Sequence, residues 1–228
     1  LLHEQMVNNY MVAVAENGDQ HFSTAAELAE FYKDGVAILD WLMKRRSTYF
    51  PTKGHELIAI EMPIYTQASS VNPHVMMNGF LDIVVRDTVN DKIKIIDIKT
   101  STRGWKKEKE DKLKIAQLVL YKSYIAKQYG YDEDKIEIEY LIVKRKLIDG
   151  FMYPQKRVQQ FTPPSGKPTR NKLQKEIDEF IKAGFNLDGS YKVDGEFPAI
   201  AGGKGMTNCR YCEFADKPDM CPKDKRIK

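Results

Sequence analysis

The sequence is poor in cysteine, with three among 228 residues, and all three lie beyond residue 208. A disulfide framework normally needs an even number of cysteines, so this pattern argues against a secreted, disulfide-stabilised protein. Reduced thiols instead indicate a cytoplasmic location, intracellular and reducing. The sequence shows no signal-peptide pattern, and because it begins with Leu1 rather than methionine we expect a fragment or a processed chain.

Long apolar runs and strong net charge are also lacking. No apolar run reaches the roughly 20 residues of a transmembrane helix, so we expect no membrane partner. The net charge is only +4, so binding to nucleic acid would need a local basic surface. P-loop and Rossmann glycine patterns are absent, which removes the usual sequence signatures of nucleotide-binding enzymes.

Residues 79–99 predict a β-hairpin that brings acidic side chains together. Apolar residues alternate over 80–86 and recur over 92–98, and residues 88–91 have turn chemistry. Asp97 and Lys99 are two residues apart and share one face of the second strand, whereas Ile98 should point into a core. Because the start of one antiparallel strand lies beside the end of the other, Asp82 should approach Asp97.

These three polar residues suggest a metal site. Two converging carboxylates repel each other unless a cation lies between them, and Mg²⁺ or Mn²⁺ takes such oxygen ligands together with water and substrate phosphate. A neighbouring lysine can orient a water or stabilise charge on a phosphate. Asp82, Asp97 and Lys99 therefore predict metal-assisted phosphodiester hydrolysis. A solvated hairpin face is the alternative, because the D-x-K pattern alone is common.

The ordered motifs resemble those of the PD-(D/E)XK nuclease superfamily. The matching residues are Gly79-x-x-Asp82, Asp97-Ile98-Lys99 and, on the following predicted helix, Gln117-x-x-x-Tyr121. The last motif is similar to that of the RecB-like branch, which includes the CRISPR-associated iron–sulfur exonucleases.

Two further features strengthen the resemblance to the iron–sulfur members. His3, in the opening Leu-Leu-His-Glu, resembles the metal-binding histidine on the first helix of the RecB-like branch, to which these members belong. Cys209, Cys212 and Cys221 resemble their C-terminal cysteine cluster, which implies a [4Fe–4S] cluster or Zn²⁺. The fourth cysteine of those members is absent from this chain and could lie upstream. Three reduced surface thiols are the alternative.

The predicted order of elements indicates an α/β fold, a mixed central β-sheet flanked by helices as in restriction endonucleases. The predicted helices are 1–16, 24–46, 111–129 and 169–184, and the predicted strands are 55–66, 74–86, 92–99, 136–143 and 156–161. We expect a nuclease core over residues 1–184 and an irregular, cysteine-bearing tail over 185–228 that packs on it.

The resemblance implies a role for each site residue. The implied metal ligands are His3, Asp82, Asp97 and the carbonyl oxygen of Ile98. Lys99 would position the attacking water, and Gln117 and Tyr121 would order the site and the DNA strand. Glu61, within the apolar strand 55–66, is a second-tier candidate.

A polar, lysine-rich segment over 100–111 offers possible DNA contacts, with a solvated loop as the equal alternative. The candidate residues in it are Arg103, Trp105, Lys106 and Lys107. The expected function is a divalent-metal-dependent DNA nuclease, an exonuclease on DNA ends or single strands, with partners in recombination, repair or phage DNA processing. A catalytically silent DNA-binding subunit and a restriction-type endonuclease are the alternatives.

Overall fold

The computed structural model describes residues 1–106, 112–193, 199–202, 207–210 and 212–227, without the side chain of Leu113. The α-helices in these ranges are α1 (Leu2–Glu16), α2 (Ala25–Met43), α3 (Arg46–Tyr49), α4 (Lys112–Tyr129) and α5 (Lys167–Gly184). The strands are β1 (His55–Ser69), β2 (Asn72–Asp87), β3 (Lys92–Ser101), β4 (Ile136–Lys144) and β5 (Val158–Phe161). Among these helices, none is both long enough and apolar enough to cross a bilayer.

The strands form one sheet in the order β1-β2-β3-β4-β5. Neighbouring strands are antiparallel except β3 and β4, which are parallel and are connected through α4. This is the mixed α/β sheet that the sequence predicts. Pro63 lies in the edge strand β1, where a proline is tolerated because one side of the strand needs no ladder hydrogen bonds.

Helices cover both faces of the sheet. On one face, α4 packs over a core that includes Ile95. On the other face, α2 and α3 contribute side chains to a second core that includes Ile96. Because side chains alternate along a strand, Asp97 and Lys99 lie on the α4 face together with Ile95.

A capping box formed by Thr24 and Glu27 starts α2. The hydroxyl of Thr24 accepts a hydrogen bond from the Glu27 N–H at 3.2 Å, and the Glu27 carboxylate accepts one from the Thr24 N–H at 2.8 Å. Each bond satisfies an N–H group that the first turn of a helix leaves without an internal partner.

In both β1 and β2, the alternation of side chains between the two faces of the sheet shifts by one residue near the middle of the strand. Met62 and Leu81 pair with each other and lie in the core beneath α4. Two residues away on each strand, Ile60 and Ile83 line a recess of about 430 Å³ beside α3 on the opposite face. Glu61 lies between Ile60 and Met62 in β1 and has φ of 54°, in the left-handed region. This residue interrupts the alternation that would place Ile60 and Met62 on the same face.

The first part of the C-terminal tail packs on the core. Phe185 lies against the small cluster that contains Val75 and Ile181. The Asn72 side-chain amide donates to the Asn186 carbonyl at 2.7 Å. These contacts join the segment after α5 to the start of β2.

Candidate active site

The pairing between β2 and β3 ends at the Ile83–Ile96 pair. Strand β3 continues beside β4, so β2 leaves β3 where Asp82 and Asp97 would otherwise have been partners. The Asp82 carboxylate instead accepts the N–H of Ile98 at 2.6 Å. A side chain thus takes the place of the missing strand partner, and a gap opens between the two strands.

The main chain of Ile98 faces this gap. The N–H and C=O of one residue in an extended strand point to the same side, so the Ile98 carbonyl is directed towards the space that β2 has left. The Ile98 side chain points to the face opposite Asp97 and Lys99, where it is 38% exposed. The prediction that Ile98 enters a core is therefore wrong, because the pairing that would cover it has ended at Ile96.

Asp97 is buried beside Lys99. It is 3% exposed, and its Oδ2 lies 2.9 Å from the Lys99 ammonium nitrogen. Within the described residues this oxygen nevertheless makes no hydrogen bond of acceptable geometry. Burial raises the pKa of the Asp97 carboxyl; the Lys99 ammonium acts in the opposite direction, and the Asp82 carboxylate raises it further. The Asp82 carboxylate accepts the N–H of the peptide that joins Asp97 to Ile98, so the two carboxylates lie near each other, and Asp97 Oδ2 can accept a further ligand.

Glu61 lies opposite Asp82 in the β1–β2 ladder, since the residues on either side of them pair in register. Its side chain is exposed. A left-handed φ is uncommon for a residue other than glycine, and residues in such strained conformations cluster at functional sites. The second-tier candidate is therefore next to the gap, at the point where the strands change face.

Gln117 and Tyr121 lie four residues apart on one face of α4, and Tyr121 reaches β2. The Gln117 side-chain amide donates to the Tyr121 hydroxyl at 3.1 Å. The Tyr121 ring lies against Gly79, where an added methyl carbon would be only 3.0 Å from the hydroxyl oxygen. Gly79 thus leaves room for the tyrosine three residues before Asp82.

Tyr140 supports the site and was not singled out by the sequence. It is the parallel partner of Asp97 and is fully buried. Its hydroxyl donates to the Lys114 carbonyl at 2.7 Å and accepts the Leu118 N–H at 3.3 Å. Burial and then the Asp97 carboxylate raise the pKa of Tyr140, so the hydroxyl keeps its proton. It ties β4 to the turn of α4 that carries Gln117.

A model of the PD-(D/E)XK nuclease superfamily matches residues 6–217, which include the gap and α4. The chain belongs to the PD-(D/E)XK nuclease superfamily. The five-stranded mixed sheet with helices on both faces is consistent with the core of that superfamily. No curated protein matches the chain.

In this PD-(D/E)XK chain, His3 lies apart from the predicted metal group. Its ring packs edge-on against Tyr32 of α2, with the ring centroids 5.3 Å apart. Among the residues that the structure describes, no three or more His, Cys, Asp or Glu side chains gather as a metal site. The predicted grouping of His3 with Asp82 and Asp97 is therefore not found, because the imidazole lies in the groove between α1 and α2. The superfamily match also begins after His3.

Cys209, Cys212 and Cys221 are free thiols in the tail. Among the described residues, the three cysteines are not part of any group of three or more side chains that could bind a metal. The guanidinium of Arg226 interacts with the thiols of Cys209 and Cys221 and donates to the Cys221 carbonyl at 3.0 Å. A cationic side chain thus lies beside two of the thiols, and these contacts give no support to the iron–sulfur or zinc prediction.

The segment predicted to contact DNA is exposed only in part. Of the four candidate residues in it, Arg103 and Lys106 are exposed, and Lys107 lies outside the described residues. Trp105 is 9% exposed and packs against Tyr140, with ring centroids 5.2 Å apart. Its main chain exchanges hydrogen bonds of 2.8 and 2.9 Å with the Gln159 side chain. The possible DNA contact of Trp105 is therefore not supported, because its ring is part of the core.

Proposed function

We propose that this PD-(D/E)XK protein hydrolyses phosphodiester bonds of DNA with a divalent cation, as an exonuclease on DNA ends or single strands. The observation that carries the proposal is the gap between β2 and β3, where Asp82, Asp97 and Lys99 come together. The exonuclease assignment depends on the Gln117–Tyr121 pair, which resembles the RecB-like motif.

The donor groups at the gap suit Mg²⁺ or Mn²⁺, the cations typical of the superfamily. Asp97 Oδ2 is buried without a hydrogen bond among the described residues, Asp82 supplies a second carboxylate, and the Ile98 carbonyl faces the same gap. Mg²⁺ commonly combines one or two carboxylates with water and substrate phosphates, so no third acidic side chain is required. When bound, such a cation polarises the scissile phosphate and lowers the pKa of a water.

Lys99 is well placed to orient the attacking water. Its side chain is 33% exposed, so the ammonium meets solvent on one side and Asp97 on the other. It can donate to a water and to a phosphate oxygen that gains charge during attack. The water oxygen attacks phosphorus and gives a proton to solvent, the bond to the leaving oxygen breaks, and that oxygen takes a proton from solvent.

Gln117 and Tyr121 order the strand that enters the gap. Gln117 uses one amide N–H on the Tyr121 hydroxyl, and its second N–H can donate to a backbone phosphate. Because Tyr121 packs on Gly79, this contact is held at a fixed distance from the strand that carries Asp82.

The test is a nuclease assay with end-labelled linear DNA and covalently closed circular DNA, with Mg²⁺ or Mn²⁺ and with EDTA. We expect metal-dependent degradation of the linear DNA, no nicking of the circle, and loss of cleavage in Asp97→Asn and Lys99→Met proteins. Asp91→Asn is the matched control, because it removes a carboxylate that pairs with Lys135 and Arg86 at the other end of β3.

Other outcomes identify the alternatives. Nicking of the circle or discrete fragments would replace the exonuclease with an endonuclease of the restriction type. Metal-independent DNA binding with no cleavage under any condition would show a silent binding subunit. Normal cleavage by Asp97→Asn would refute the assignment of the site.

A further inference from the structure

The β4–β5 hairpin ends in an exposed apolar tip, which we define as residues 148–153. The exposed fractions of Phe151, Met152 and Tyr153 are 54, 86 and 69%. The rings of Phe151 and Tyr153 contact each other edge to face, with centroids 6.3 Å apart. Exposing large apolar groups to water is unfavourable, and contiguous exposed patches commonly mark binding sites.

The stalk below the tip, residues 144–147 and 154–157, is braced by hydrogen bonds. The Gln155 side chain accepts from the Ile148 N–H at 3.0 Å and donates to the Ile148 carbonyl at 2.7 Å. At the base, Arg157 donates to the Arg145 carbonyl at 2.9 Å. A braced loop loses little conformational freedom when a ligand binds, which favours affinity.

Helix α2 anchors the stalk. Arg145 pairs with Asp34 at 3.4 Å, and Lys146 pairs with Glu30. The Arg145 guanidinium also lies over the Phe31 ring, 4.7 Å from its centroid. Arg145 and Lys146, at the end of β4, therefore fix the hairpin against α2.

The charge around the tip favours a polyanionic partner. Residues 144–157 contain five basic side chains and one acidic one, and the balance stays positive when Asp34 and Glu30 of α2 are included. Aromatic side chains among basic ones are the combination that binds single-stranded nucleic acid, whose phosphates are anionic and whose bases have flat apolar faces.

The hairpin emerges at the end of the sheet that carries the gap. Strands β3 and β4 are parallel, and Lys99 is the partner of Ile142, two residues before Lys144. At about 3.3 Å per residue, Lys144 lies ~7 Å further along the strand direction. Phe151 follows Lys144 by seven residues and so lies at most about 23 Å from it. The separation between the gap and the tip along the strand direction is therefore at most about 30 Å, which a short single strand can cover.

We propose that the tip is a stacking platform for single-stranded nucleic acid, with Phe151 and Tyr153 contacting bases of the strand that occupies the gap. The inference rests on the proposed function for the identity of the ligand. The stacking contact itself does not require cleavage, so the two can be tested separately.

The binding test uses fluorescence anisotropy of a labelled single-stranded oligonucleotide, with all variants built on the Asp97→Asn protein. Phe151→Ala and Tyr153→Ala should each weaken binding by about tenfold, the typical effect of losing one stacked base. Phe151→Tyr and Tyr153→Phe keep an aromatic face and should bind normally, whereas Phe151→Leu should behave like the alanine variant. Val89→Ala is the control, because it removes a side chain that is 77% exposed in the β2–β3 turn at the other end of β3.

Unchanged affinity of the folded alanine variants, with folding checked by thermal unfolding, overturns the proposal. Normal binding by Phe151→Leu would also overturn it, because it would show an apolar contact without stacking. If the otherwise wild-type protein does not cleave DNA but single-strand binding still depends on the tip, the nuclease proposal fails and the platform stands.

Discussion

The contact between Gly79 and Tyr121 gives a quantitative prediction for a site that joins a helix to a strand. A methyl carbon at Gly79 would lie 3.0 Å from the tyrosine hydroxyl oxygen and 3.3 Å from two ring carbons. Carbon atoms in good contact are about 3.5–4.0 Å apart, so Gly79→Ala forces the ring to move by roughly half an ångström. Tyr121 is only half-buried and can yield towards solvent. We therefore expect a cost of about 1 kcal/mol, at the low end for overpacking.

The assay is a double-mutant cycle measured by urea denaturation. Gly79→Ala should lower the free energy of unfolding by about 1 kcal/mol in the wild-type background, which corresponds to roughly 2–4 °C in Tm for a chain of this size. In the Tyr121→Ala background the ring is gone and the same substitution should cost almost nothing. An equal cost in both backgrounds would refute the reasoning, since it would place the clash elsewhere.

Three further predictions concern residues in different parts of the fold. Burial raises the pKa of Asp97, so the folded state binds the carboxyl proton more tightly than the unfolded chain does. The free energy of unfolding should therefore fall as the pH rises from the ordinary carboxyl pKa through the raised pKa. Asp97→Asn should remove this slope in urea titrations across pH, and an unchanged slope would contradict the assignment. Trp105→Ala should lower the free energy of unfolding by about 3 kcal/mol, the cost of a large core cavity. The affinity of the folded variant for single-stranded DNA should not change. Weaker binding by a fully folded variant would show that Trp105 contacts nucleic acid. Thr24→Ala should cost about 1 kcal/mol through loss of the α2 cap, measured against Thr52→Ala as a control outside a helix, and equal costs would argue against the capping box.

Local patterns in the sequence were sufficient to predict most of the architecture. Alternation and turn chemistry predicted the hairpin from β2 to β3, and helical spacing placed Gln117 and Tyr121 on one face. The antiparallel connection also implied that Asp82 and Asp97 approach each other, and the bond from the Ile98 N–H to the Asp82 carboxylate agrees with that expectation. These features depend on neighbours in sequence or on a single turn, so residue type and spacing determine them.

Features that depend on distant contacts were not predictable in the same way. The burial of Trp105 depends on Tyr140 of β4 and Gln159 of β5, which are distant from it in sequence and are brought next to it only by the fold. The exposure of Ile98 depends on where β2 separates from β3. His3 was assigned by resemblance alone, and its position depends on how α1 packs against α2.

The irregularity of β1 has a consequence beyond the site. This strand is 15 residues long and lies at the edge of the sheet, where an unbroken row of free peptide groups could recruit the strand of another molecule. A bulge between Leu57 and Ala59, the left-handed Glu61 and the missing N–H of Pro63 interrupt that row. The distortion that places an acidic residue beside the gap therefore also protects the molecule against edge-to-edge aggregation.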